Sequence, residues 1–154
     1  HSERHGCSWR QLSFGPSFGV ARTDTGELFA WGSYKDRNGN RHFVDPRPLT
    51  WSAKGGDERF VDAQCSESAL WALTTDGRVV VWERVPSMLA SPGSSSASAT
   101  PRQFSGGRHL EDLENPVREM SIGPSHAAFI TKDGNCYCLG LNRCGECGAD
   151  PVKF

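Results

Sequence analysis

The sequence predicts an all-β chain, a partial β-propeller of about three four-stranded antiparallel blades, and three observations carry that prediction. A single unit recurs three times, its turn glycines Gly26, Gly77 and Gly134 standing 51 and 57 residues apart. Each unit alternates short β-branched and aromatic runs with turn residues, the pattern of hairpins rather than helices. With 17 Gly and 9 Pro in 154 residues and few apolar runs of helical period, the composition is that of a turn-rich β protein. Four short strands per unit at this period is the pattern of a propeller blade.

The elements follow in order. Each unit opens on a strand-like segment: WRQLSF from Trp9, RFVDAQ from Arg59 and VREMSI from Val117. The central hairpins are SFGPSFGVARTDTGELFAWGS (Ser13–Ser33), AQCSESALWALTTDGRVVVWER (Ala63–Arg84) and SIGPSHAAFITKDGNCYCLGLN (Ser121–Asn142). Thr23, Thr74 and Thr131 stand three residues before the turn glycines, and Trp31, Trp82 and Leu139 five after. Glycine is placed where the turn demands positive φ. Each unit closes on a short run after a proline: RPLTW, PRQF and PVKF. These limits put one domain over 1–154, with blades at 9–51, 60–104 and 117–154. Within the second blade the Ser/Ala/Pro-rich stretch 87–101 is expected to be a disordered surface loop, because it carries too little apolar surface to order itself. The segment SGGRHLEDLENP (105–116) is expected to be the next connection, with room for one helical turn.

Seventeen Lys and Arg against 18 Asp and Glu leave a net charge of −1, which excludes a global basic field for non-specific nucleic-acid or membrane binding. No apolar run approaches the ~20 residues of a membrane helix, so no membrane insertion is expected. Six cysteines in a chain of this length are too few for a disulfide scaffold and favour an intracellular, reduced setting.

The third unit, GPSHAAFITKDGNCYCLGLNRCGECG (Gly123–Gly148), resembles the repeat of the regulator of chromosome condensation family, roughly G-x-x-H-[ST]-x-x-[LV]-[TS]-x-[DE]-G-x-[VL]-[YF]-x-[WF]-G-x-N-x-x-G-Q-L-G. The first unit matches well; the second lacks the histidine and the final glycines. The resemblance covers nearly the whole chain and implies a seven-bladed ring, of which three blades are present. Three blades alone leave two raw apolar faces, so the chain is expected to belong to a larger protein or assembly.

Cys136, Cys138, Cys144 and Cys147 admit two readings. Their spacing, which includes a C-x-x-C, is that of a zinc site, and Cys136 and Cys138 share a strand face. Against the family pattern they occupy apolar positions, where cysteine acts as a small buried hydrophobe. The packing reading, with no metal and no other cofactor, is preferred. By the same resemblance His126 is expected to hydrogen-bond backbone between blades. Trp31 and Trp82 fall in a repeat column and are expected to pack, along with Phe29, Val80, Tyr137 and Leu139. Trp9, Trp51 and Trp71 are less constrained, leaving one of them to face a partner.

The segment WGSYKDRNGNRHFVDP (Trp31–Pro46) is the most distinctive segment outside the repeat pattern. Its opening is similar to a blade of the exchange factor that gives the family its name, in which the following residues form a wedge against a small GTPase. Carried across, that wedge is Asn38 to Val44, preceded by Lys35, Asp36 and Arg37. Two departures weaken the carry-over: Pro16 stands where the family has an acidic residue, and NRHF is more polar than the wedge. The reading of the residues themselves is a charged loop, held by a strand ending at Trp31, in which Tyr34, Lys35, Asp36, Arg37, Asn38, Arg41 and His42 contact a partner.

No nucleophile–base pair, metalloprotease motif, phosphate loop or carboxylate pair is visible, so no catalytic residue is assigned and the chain is not read as an enzyme. The preferred function is a non-enzymatic interaction scaffold or assembly subunit. The alternatives are a guanine-nucleotide exchange factor and a zinc-stabilised interaction module. Protein in a larger assembly, a small GTPase and RNA are the partner classes this implies. The compartment is left open among mitochondrion, nucleus and cytosol.

Overall fold

The computed structural model describes residues 8–51, 58–90, 104–110, 113 and 115–140. Blade 1 comprises β1 (Trp9–Phe14), β2 (Phe18–Thr23), β3 (Leu28–Lys35) and β4 (Arg41–Trp51). Blade 2 comprises β5 (Phe60–Cys65), β6 (Leu70–Thr74), β7 (Val79–Trp82) and β8 (Phe104–His109), with a short helix α1 (Val85–Leu89) after β7. Blade 3 is described as β9 (Val117–Ile122), β10 (His126–Thr131) and β11 (Cys136–Gly140). Consecutive strands within each blade pair antiparallel, which gives a partial propeller. Blades 1 and 2 also meet edge to edge, where β4 and β8 run parallel through Leu49↔Phe104 and Trp51↔Gly107. The order of the joined sheet is therefore β1-β2-β3-β4-β8-β7-β6-β5, and the third sheet is β11-β10-β9.

The turns behave as the repeat requires. Gly26, Gly77 and Gly134 have φ of 83°, 84° and 89°, the left-handed region open to glycine. The threonine column closes each turn: Thr23 Oγ1 accepts from Glu27 N and Thr74 Oγ1 from Arg78 N, both at 3.0 Å, while Thr131 Oγ1 donates to Asn135 O at 3.2 Å. All three threonines are buried. That burial is tolerated because each hydroxyl is satisfied.

Two apolar cores lie between the blades. The first joins blades 1 and 2 through Phe18, Leu28, Phe60, Leu70, Val80 and Trp82, and takes in Val85 and Leu89 of α1. The second joins blades 2 and 3 through Leu73, Val79, Val81, Val117, Met120 and Phe129. Each such side chain contributes ~1.5–3 kcal/mol when fully buried.

Several expectations are corrected. The stretch 87–101 is not wholly loop, because Ser87, Met88 and Leu89 belong to α1. There Val85 and Leu89, four apart, drop onto the first core, and Pro86 sits in the first turn where it costs no hydrogen bond. Residues 91–101 of that stretch lie outside the described residues. Residues 105–109 are strand rather than connection, so the closing strand of blade 2 runs past 104. Pairing with β4 at Leu49↔Phe104 and Trp51↔Gly107 and with β7 at Val80↔His109 and Val81↔Arg108 overrides the weak strand propensity of Gly106-Gly107. Strand β3 continues four residues past Trp31.

Burial departs from expectation on the third column as well. Phe29, Val80 and Trp82 are buried, but Trp31 and Leu139 are only half-buried and Tyr137 is 37% exposed. Trp31 sits on the uncovered side of blade 1, and Tyr137 on the outermost described strand of blade 3. The expected backbone bond is not seen at His126 Nδ1, which is buried without a partner among the described residues. Trp71 packs against the second core.

The cysteines divide three ways. Cys136 is free and exposed, not a core residue. Cys138 is disulfide-bonded, and so is neither a packing thiol nor, with that bond in place, a zinc ligand. Cys144 and Cys147 lie outside the described residues. Among the described residues no three His, Cys, Asp or Glu gather as a metal site.

Candidate functional site

Strands β3 and β4 project beyond the blade as a two-stranded ribbon, paired through Gly32↔Val44, Ser33↔Phe43, Tyr34↔His42 and Lys35↔Arg41. The connection at its tip is a built turn. Asp36 N donates to Asn40 O at 2.9 Å, and Gly39, with φ of 83°, donates from N to Asp36 O at 3.0 Å. Asp36 Oδ1 accepts from the amides of Asn38 and Asn40, each at 2.9 Å. A short polar side chain that reaches backbone two residues on is the physical reason for aspartate here.

The second carboxylate oxygen ties the turn to the strand. His42 Nε2 lies 2.8 Å from Asp36 Oδ2, and the His42 ring stacks on Tyr34 with centroids 5.1 Å apart. The hydrogen bond from His42, then the turn amides, hold the Asp36 carboxyl down at about 2. Across the ribbon, Arg41 Nη1 donates to Ser33 Oγ at 2.8 Å.

Alternation sorts these residues onto two faces. Tyr34 and His42 share the face turned toward the first core, against which Tyr34 packs beside Met88. Ser33, Lys35, Arg41 and Phe43 share the other face, and Lys35, Arg37, Asn38 and Arg41 are exposed. The seven residues expected to contact a partner therefore do different jobs. Tyr34, Asp36 and His42 brace the tip, whereas Lys35, Arg37, Asn38 and Arg41 are presented to solvent.

Phe43 is the residue that the pattern of charges does not single out. It is 82% exposed on an ordered strand. The available signal is period 2: an aromatic that shares a strand face with Arg41 and Lys35 cannot also reach the core. Chemically the ribbon offers cations around one apolar side chain on a paired two-stranded support.

A model of the regulator of chromosome condensation (RCC1) repeat matches residues 117–146. An RCC1 repeat-containing protein of Dictyostelium discoideum is 26% identical over 153 residues, covering 94% of this chain and 31% of the relative. The human regulator of chromosome condensation is 30% identical over 100 residues, covering 63% of this chain and 22% of the relative. Residues 117–146 therefore form a regulator of chromosome condensation repeat, and the chain is similar to proteins of that repeat family over most of its length. Among solved structures it is similar to Prp20p of Saccharomyces cerevisiae, with TM-score 0.66, 19% identity, and coverage of 94% of this chain and 33% of that one. It is also similar to human WBSCR16, with TM-score 0.63, 18% identity, and coverage of 91% and 35%. At those identities the likeness is one of fold. The repeat protein spans about a third or less of the length of these relatives.

Proposed function

We propose that this repeat protein is a non-enzymatic docking module that engages a protein partner through the β3–β4 ribbon. The observation that carries the reading is the braced tip, where Asp36, His42 and Tyr34 fix a turn that displays Arg37 and Arg41 beside an exposed Phe43. Fixing the ribbon in advance lowers the ordering cost of association. Its guanidinium groups can pair bidentately with carboxylates although the chain is not basic overall. Prp20p, a structural relative, is described as binding Gsp1p and histones, which is consistent with a protein-binding role for the fold.

The test is the pair Arg37→Glu and Arg41→Glu in the full-length protein. Co-purification of the assembly from its native cells should fall at least tenfold, with the melting temperature shifted by no more than a degree or two, since both side chains are exposed. Unchanged co-purification would remove the ribbon from the function. A second reading, guanine-nucleotide exchange on a small GTPase, rests on the ribbon standing where the resemblance places the wedge. Accelerated nucleotide release from a purified small GTPase, abolished by the same double change, would promote that reading over the first.

A further inference from the structure

Beside the ribbon lies an open hollow of about 420 Å³, formed where the base of β3 and β4 faces the turn at Ser17 and the helix α1. The residues around it carry hydrogen-bond donors of one kind after another: the hydroxyls of Ser17, Ser33 and Ser87, the Tyr34 phenol, the Lys35 ammonium and the Arg41 guanidinium. No carboxylate lines it among the described residues. The walls are fixed. Ser33 N donates to Ser17 O at 2.9 Å, which joins strand to turn. A side-chain carbon added at Gly32 would lie 2.5 Å from Ser17 O and 2.7 Å from Leu89 Cδ1, so only glycine lets turn, strand and helix close on one another here. Val85 and Leu89 are fully buried and hold α1 down, while Ser87 stays exposed.

The charges in this hollow are arranged at a cost. Lys35 and Arg41 stand directly opposite each other across the ribbon, and like charges in that position destabilise a strand pair. Neither forms an ion pair among the described residues. Asp36, the carboxylate next to Lys35 in the chain, is taken up by His42 and by the amides of Asn38 and Asn40. Arg41 Nη1 donates to Ser33 Oγ at 2.8 Å, which positions the guanidinium and uses one of its five N–H groups. An anion entering the hollow relieves the repulsion and meets donors already in place.

We propose that this hollow receives a phosphate monoester, the side chain of a phosphorylated serine or threonine on the protein partner; the assignment rests on the docking role of the ribbon and names the chemistry it selects. A monoester brings close to two negative charges and three terminal oxygens, which suits two cations set among hydroxyls. A phosphodiester brings one charge and two terminal oxygens, a poorer match. The net charge of −1 also gives the chain no field with which to gather a nucleic-acid strand or a membrane surface. Phe43, opposite Ser33 in the ribbon and 82% exposed, stands beside the site for an apolar neighbour of the phosphorylated residue.

Titrating the full-length protein with inorganic phosphate and with O-phosphoserine should shift the NMR signals of the Ser33, Lys35, Arg41 and Ser87 amides saturably, and serine should not. Ser87→Asp, which sets a carboxylate against the incoming anion, and Lys35→Gln should each abolish those shifts. Both side chains are exposed, so the melting temperature should hold. Treating the native extract with a broad-specificity phosphatase should lower co-purification of the partner by about tenfold or more, and Ser87→Asp should do the same. If neither does so while Arg37→Glu with Arg41→Glu abolishes co-purification, the ribbon docks without the hollow and the phosphate assignment alone falls. If that double change also has no effect, both fall together. No saturable shift, or shifts that persist in both variants, would overturn the assignment. So would capture by phosphatidylserine vesicles or a single-stranded oligonucleotide together with co-purification indifferent to phosphatase, which would give the hollow to phosphodiesters.

Discussion

Asp36 carries more of the ribbon than any other single side chain. Its carboxylate accepts from Asn38 N and Asn40 N and faces His42 Nε2, three contacts that all favour the ionised form. The carboxyl is therefore lowered to about 2 from its ordinary value near 4. The sign follows from linkage. A depressed carboxyl stabilises the folded tip fully above pH ~4 and loses that contribution as pH falls through about 2. An NMR titration should show the Asn38 and Asn40 amides shifting with a midpoint near 2. A midpoint near 4 would mean that the turn does not hold the carboxylate. Phe43 makes the opposite point about single residues: its side chain is 82% exposed and unbraced among the described residues, so truncation to alanine should leave stability alone and act only on binding.

At the scale of elements, the turns and first strands carry the junctions, and they differ in a way that substitution can read. Alanine at Gly77 meets two penalties, a left-handed φ costing ~1–2 kcal/mol and a collision with Pro116 and Val117 of the next blade. Alanine at Gly134 meets only the first, since its surroundings are open. Urea denaturation should therefore find Gly77→Ala costlier than Gly134→Ala by roughly 1–3 kcal/mol, the range of an overpacked core site. Equal costs would show that the junctions do not pack at the turn. The turns were legible in the amino acids because φ is a local property and Gly26, Gly77 and Gly134 advertise it three times. The closing strands were less so. Residues 104–109 are strand because β4 and β7 supply the partners, and a pairing across a long connection leaves no local mark. The continuation of β3 to Lys35 is of the same kind, fixed by Arg41 and His42 on the facing strand. The cysteines were legible in column but not in state. Cys136 stands where Leu28 and Val79 stand, yet its exposure depends on what covers blade 3, and disulfide connectivity, as at Cys138, cannot be deduced from spacing.

At the scale of the whole molecule, a stack of repeats gains stability from each unit and from each junction between neighbours. The junctions here are unequal. That between blades 1 and 2 contains the larger core, is capped by Val85 and Leu89 of α1, and is joined again at the rim by β4 and β8. Gln11 adds a bond to Asp62 across it at 2.6 Å. The junction of blades 2 and 3 rests on the smaller core and on Gln64, which donates to Met120 O and accepts from Ile122 N. Blade 3 should therefore open before the rest. Native-state hydrogen exchange should give the amides of β9 and β10 an opening free energy below that of β2, β6 and β7 by at least ~1 kcal/mol, within the spread that sub-global opening produces. Gln64→Ala should widen the gap, because it leaves the backbone groups of Met120 and Ile122 without the partner that holds them to blade 2, at a cost of ~1–3 kcal/mol if they stay buried. One common opening energy across all three blades, unchanged by that substitution, would show that the chain unfolds as a single unit and that the inequality of its junctions has no energetic consequence.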